Sequence, residues 1–109
     1  MKHHLDTASG TLTVSWPGDV LSSNVETLRK ETQEILDSTL IRQGGWSVLK
    51  LDLSAAKMVD SAGLNLIVSL IKITKARGSS VRAVVGSPNV YRTFIFTRLD
   101  KQLDLAQAA

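Results

Sequence analysis

SVLKLDLSAAKMVDSAGLNLIVSLIKITKARGSSVRAVV, residues 47–85, contains a strand, a helix and a second strand in succession. In Ser47–Leu53 the leucines 49, 51 and 53 fall on one face, the period of a half-buried strand. Small residues, Ser54-Ala55-Ala56, carry the chain to Lys57-Met58-Val59-Asp60, and Ser61 is placed as the N-cap of a helix running to Arg77. Gly78 supplies the residue after the helix, and Arg77 suits the negative end of its dipole. Val81–Val85 is the next strand. A strand–helix–strand succession of this kind is built by a right-handed crossover between parallel neighbours.

Working outward, Thr11–Trp16 alternates with Leu12, Val14 and Trp16 on one side, and Ser9-Gly10 turns back to a weaker strand at 2–7, an N-terminal hairpin. Pro17-Gly18-Asp19 ends that strand. Ser22 or Ser23 is expected to cap a helix over 24–40, with Glu26 completing a capping box and Val25, Leu28, Thr32, Ile35 and Leu36 at helical spacing. Gln43-Gly44-Gly45 stops it. Downstream, Gly86-Ser87-Pro88 reads as turn, N-cap and first residue of a helix over 88–97. Residues 99–105 form a last short strand or a turn, and 106–109 are expected to fray. The expectation is one α/β domain over 1–109, with a mixed sheet of four to five strands and three to four helices.

Composition narrows the function. At 109 residues with 43% apolar content the chain makes one ordered domain. The absence of cysteine excludes disulfides, thiolate metal sites and thiol catalysis. No apolar run approaches a membrane span and the polar start MKHHLDTASG is no signal peptide, so a cytoplasmic protein without membrane insertion is expected. The net charge of +3 arises in the second half: residues 1–56 carry five basic and seven acidic side chains, residues 57–101 eight and two. These cations are spread singly with few aromatics between them, which argues against direct nucleic-acid binding.

Catalytic constellations are hard to find. Neither GxGxxG nor GxxxxGK[ST] occurs. His3 and His4 are adjacent and would point to opposite sides of an extended segment, so they are poor co-ligands. Asp52 and Asp60 flank one loop, but two loop acids are more often solvated than metal-binding. Ser61 has no histidine to serve as its base, so no enzyme, metal or cofactor is expected.

What remains is Val59-Asp60-Ser61-Ala62-Gly63-Leu64, at the carboxyl edge of the sheet where open α/β folds place their sites. A helix N-terminus there favours a phosphate on Ser61, and Gly63 allows another backbone to come close. The plain alternative is an ordinary N-cap with a packing glycine. The helix carries two stripes: Leu64, Ile67, Val68 and Ile71 dock it on the sheet, while Leu66, Leu70 and Ile73 lie on a second face. A domain this small leaves little room for a sandwiched helix, so the second stripe is expected to be an exposed partner surface beside Ser61.

Asp52-Leu53-Ser54, then Val59–Leu64, with Ser87-Pro88-Asn89-Val90-Tyr91-Arg92 and Phe96–Lys101 following in order, closely resembles the STAS domain of bacterial anti-sigma factor antagonists over about 11–105. The resemblance implies a binding protein without turnover. Its partner would be an anti-sigma factor, often a serine kinase that phosphorylates the serine of the Asp-Ser pair, here Ser61, with a PP2C-type phosphatase reversing the modification. Binding would free a sigma factor for transcription. Asp19, Asp60, Ser61, Ala62, Gly63, Leu64, Leu66 and Leu70 are the implied contact residues, and a monomer is expected. The family often carries Gly-Glu-Leu-Asp after the second strand, whereas this chain reads Gly18-Asp19-Val20-Leu21; either Asp19 substitutes for the missing acid or the kinase-facing surface differs. Ala62 also suits the family's soluble subunits of lipid-transport ABC systems, which is the alternative reading.

Overall fold

Apolar residues at every second position of 11–15, 48–53 and 80–85 become one buried sheet face in the computed structural model, which describes residues 1–108 and the side chains of all of these except 39 and 40. The elements are β1 (Lys2–Asp6), β2 (Thr11–Ser15), α1 (Val25–Asp37), α2 (Thr39–Gln43), β3 (Val48–Leu53), α3 (Ser61–Ala76), β4 (Ser80–Val85), α4 (Pro88–Phe96), a 3-10 turn at Leu99–Lys101, and β5 (Asp104–Gln107). The strands lie in the order β1-β2-β3-β4-β5; the first pair is antiparallel and the other three pairs are parallel. The result is the mixed sheet with crossover helices that the alternation of strand and helix signals implies.

Each parallel strand lies beside its predecessor, so crossovers of one hand place the helices on one side of the sheet. Burial follows that rule. Leu12, Val14, Leu49, Leu51, Leu53, Val81, Ala83 and Val85 are buried in a single cluster with Leu28 of α1, Ile67 and Ile71 of α3, and Val90 and Phe94 of α4. The opposite sheet face carries Thr13, Ser15, Lys50, Asp52 and Arg82 and is open. Removing each core leucine from water is worth about 1.5–3 kcal/mol, so the helical layer is held by burial rather than by propensity. The buried tryptophans satisfy their ring N–H groups: Trp16 donates to Thr32 Oγ1 at 3.2 Å and Trp46 to the Ile41 carbonyl at 3.1 Å.

Several boundaries differ from expectation. The first helix breaks at Ser38, whose extended backbone (ψ 144°) separates α1 from α2, so 24–40 is not one helix. Its N-cap is Asn24, and the capping box of Ser22 or Ser23 with Glu26 does not form. The Asn24 side chain instead reaches backwards, accepting from Leu21 N at 2.9 Å and donating to the Asp19 carbonyl at 2.8 Å. At the far end, 106 and 107 do not fray: they belong to β5, and Ala108 N donates to the Val85 carbonyl at 2.7 Å. Residue 109 lies outside the described residues. The cap of α4 is as expected, with Ser87 Oγ accepting from Asn89 N and Pro88 in the first turn. Gly78 adopts φ +83° after α3, as its place behind the helix requires.

The larger correction concerns α3. Leu66 and Leu70 are 1% and 4% exposed, so they are not a free partner face. Because α1 and α3 lie on the same side of the sheet, α1 packs along the flank of α3 that the sheet leaves uncovered. The two leucines become the floor of a cleft of about 380 Å³, walled by Glu26, Arg29, Lys30 and Gln33. Of the second stripe only Ile73, at 48%, stands out into solvent.

Candidate functional site

The strands β2, β3 and β4 all end at one edge, and two loops meet there. Trp16 N donates to the Asp52 carbonyl at 3.1 Å, continuing the β2–β3 ladder by one bond before Pro17 ends it. The chain then crosses to the loop before α3. Val20 pairs with Val59 as an isolated parallel bridge: Val20 N donates to the Met58 carbonyl and Asp60 N to the Val20 carbonyl, both at 3.1 Å. Both valines are buried beneath this bridge.

Two aspartates fasten the loops in opposite directions. Asp19 Oδ1 accepts from Lys57 N at 2.7 Å and from Met58 N at 3.1 Å. Asp60 Oδ2 accepts from Ser22 N at 2.8 Å, and its Oδ1 accepts from Gly63 N at 2.9 Å. Asp60 is therefore the N-cap of α3, and Ser61 is the first helical residue rather than the cap, a correction to the sequence expectation. A carboxylate accepts the two N–H groups on separate oxygens and with a negative charge, whereas a serine hydroxyl offers one neutral oxygen. The amides of Gly63 and then Ser22 hold the Asp60 carboxyl below its ordinary range, so it is ionised at neutral pH.

Gly63 is fixed by the same approach of loops. A Cβ at this position would lie on the Val20 carbonyl oxygen and 2.9 Å from both Val20 Cγ1 and Val59 Cγ1. The first turn of α3 thus sits directly on the Val20–Val59 bridge, and only a residue without a side chain permits it.

Around this scaffold Ser61 is exposed, with Ala62 and Leu64 half-buried beside it. One oxygen of Asp19, Oδ1, is taken by the Lys57 and Met58 amides, which ties this acid to the loop leading into the serine. Leu21, where the family often has a carboxylate, is half-buried, and its N–H is held by Asn24. The acids Asp52 and Asp60 share no hydrogen-bond partner. Asp52 faces Ser15 Oγ at 3.5 Å and Ser54 N at 3.0 Å, and the burial that raises its pKa is outweighed by the Ser54 bonds, the Lys50 charge and the Ser15 bond, which lower it. Among the described residues no three His, Cys, Asp or Glu side chains form a metal-sized group.

One exposed apolar residue beside the serine is not evident from the sequence. Met58 is 53% exposed on the loop that leads into Ser61. Its amide is held by Asp19 and its carbonyl by Val20, which fixes Val59 inward and Met58 outward. The available signal was the step Met58-Val59, two apolar neighbours of which an extended segment can bury only one.

The STAS domain family model matches residues 3–108. A search of curated proteins finds no match. Among solved structures, a Thermotoga maritima protein described as a candidate anti-sigma factor antagonist superposes with TM-score 0.78 at 19% identity, covering 99% of this chain and 86% of that one. The anti-sigma factor antagonist SpoIIAA in its unphosphorylated form gives TM-score 0.70 at 18% identity, with coverage of 99% and 89%. The Bacillus cell fate determinant SpoIIAA in its phosphorylated form gives 0.63 at 19%, with coverage of 99% and 92%. These similarities show a common fold.

Proposed function

The chain belongs to the STAS domain family, and from that premise we propose that it is an anti-sigma factor antagonist switched by phosphorylation of Ser61. Unmodified, it binds an anti-sigma factor of the serine-kinase type and so frees a sigma factor; phosphorylated, it is released, and a PP2C-type phosphatase restores it. The structural neighbours named as antagonists support the general role. The chain acts by binding and is not an enzyme.

The observation that carries the reading is the exposed Ser61 at the head of α3, on a junction held rigid by Asp60 and Gly63. A hydroxyl presented on a fixed backbone is accessible to a kinase and sits where a partner must touch Met58, Ala62 and Leu64. Phosphate adds close to two negative charges. Helix N-terminal amides favour it, but Asp60 has already taken the Gly63 amide, and its ionised carboxylate lies one residue away. The added charge is therefore poorly compensated by the chain itself and falls on the contact surface, where it must be desolvated for the partner to bind.

The test is the pair Ser61→Ala and Ser61→Asp against the cognate anti-sigma factor, recovered with untagged protein from its own cell lysate and identified by mass spectrometry. Constitutive binding by the alanine form and loss by the aspartate form are expected. Equal binding by both variants, with membrane ABC transporter subunits recovered and Ser61 unmodified, moves the assignment to a non-switching transporter subunit.

A further inference from the structure

We propose that the opposite, amino edge of the sheet is a docking surface for an anionic phospholipid bilayer. From Ser61 to Leu99 the sequence contains six cations and no carboxylate. The topology gathers several of these. Both α3 and α4 run antiparallel to the strands they connect, so both end at the amino edge, where Lys75 closes α3 and Arg98 follows α4. The 3-10 turn that carries Lys101 leads into β5 at the same edge.

Lys75, Arg82 and Lys101 line one hollow of about 430 Å³ between β4 and the chain entering β5. Two acids share this region. Asp104 pairs with Arg82 at 3.2 Å, and Asp100 lies 3.9 Å from Lys101. Lys75, Arg98 and Lys101 are exposed to solvent. Beside them the last turn of α4 exposes two adjacent apolar side chains, Ile95 at 42% and Phe96 at 84%. Arg98, in the left-handed region at φ 61°, turns the chain away immediately afterwards and leaves the Phe96 ring projecting at the end of the helix.

An exposed aromatic at the same edge as these cations matches an anionic interface, into which the ring inserts while the charges stay at headgroup level. The cations lie singly on α3, on β4 and in the segment after α4, a spacing that suits a laterally diffuse negative surface better than the fixed charge positions of a folded partner. A single projecting ring does not supply the successive stacking platforms of nucleic-acid binding. No helix of the described residues is long and apolar enough to cross a membrane, so the contact is peripheral. It leaves Ser61, at the other edge, facing away from the bilayer.

The test is co-sedimentation of the full chain with vesicles of equimolar phosphatidylcholine and phosphatidylglycerol, and with phosphatidylcholine alone, across a salt titration. Partition onto the anionic vesicles only, weakening as salt rises, is expected. Phe96→Ser should lower the partition coefficient about ten-fold, and Arg98→Gln with Lys101→Gln should lower it and flatten the salt dependence. Circular dichroism confirms that the variants fold, since the altered side chains are exposed. No partition onto anionic vesicles, equal partition onto neutral ones, or an unchanged Phe96→Ser variant overturns the proposal; the first of these returns the patch to an acidic protein partner.

Discussion

Asp60 and Gly63 fix where Ser61, the residue of the proposed switch, stands. Gly63→Ala should destabilise the fold by about 2–3 kcal/mol, since the new Cβ meets the backbone carbonyl of Val20 rather than a side chain that can move. Urea unfolding measures it, and a loss smaller than about 0.5 kcal/mol would contradict the proposed tight contact. Asp60 makes a pH-dependent contribution. Its folded pKa lies below the ordinary value of 3.8, so its contribution is fully present above that value and is lost as pH falls through the lower folded one. Asp60→Asn should therefore flatten the acid limb of the stability curve while leaving its shape near neutrality unchanged. An unchanged acid limb would show that Asp60 is not the group titrating. The sequence made Gly63 legible as a site of close approach, but it assigned the cap to Ser61. Both Asp and Ser are good N-caps, and only the Ser22 amide from a distant loop decides between them.

At the scale of elements, the helix α3 shows why amphipathic pattern alone misplaced a surface. Two apolar stripes require two partners, and nothing local says whether the second is another helix of the same chain or another protein. The order of strands settles it: sequential parallel neighbours put α1 beside α3, and Leu66 and Leu70 close against it. Leu70→Ala should accordingly cost about 2–5 kcal/mol of stability, as a cavity-forming core change, while the folded fraction keeps its partner affinity. Weakened binding at unchanged stability would restore the exposed-face reading. By contrast the strands β2, β3 and β4 were legible almost to the residue, because their period-2 pattern reports burial on one face directly. The break at Ser38 and the run of β5 through Gln107 were not. Each depends on where the chain must be to reach the next strand, not on local propensity.

For the whole molecule, the sheet separates two edges. The carboxyl edge holds Ser61, Met58 and the stitched loops; the amino edge holds Phe96 and the gathered cations. If the two surfaces serve separate partners, Phe96→Ser should leave anti-sigma factor binding within about two-fold of the unaltered protein, in keeping with the near-additivity of distant sites. A large loss would place both on one interface. The central claim, a charge switch at Ser61, is tested most directly by titrating the cognate anti-sigma factor with the chain before and after stoichiometric phosphorylation of Ser61, read by calorimetry. The account predicts a loss of roughly ten- to hundred-fold in affinity on phosphorylation, restored by phosphatase treatment. Equal affinity of the two forms, with Ser61 fully modified, would contradict it.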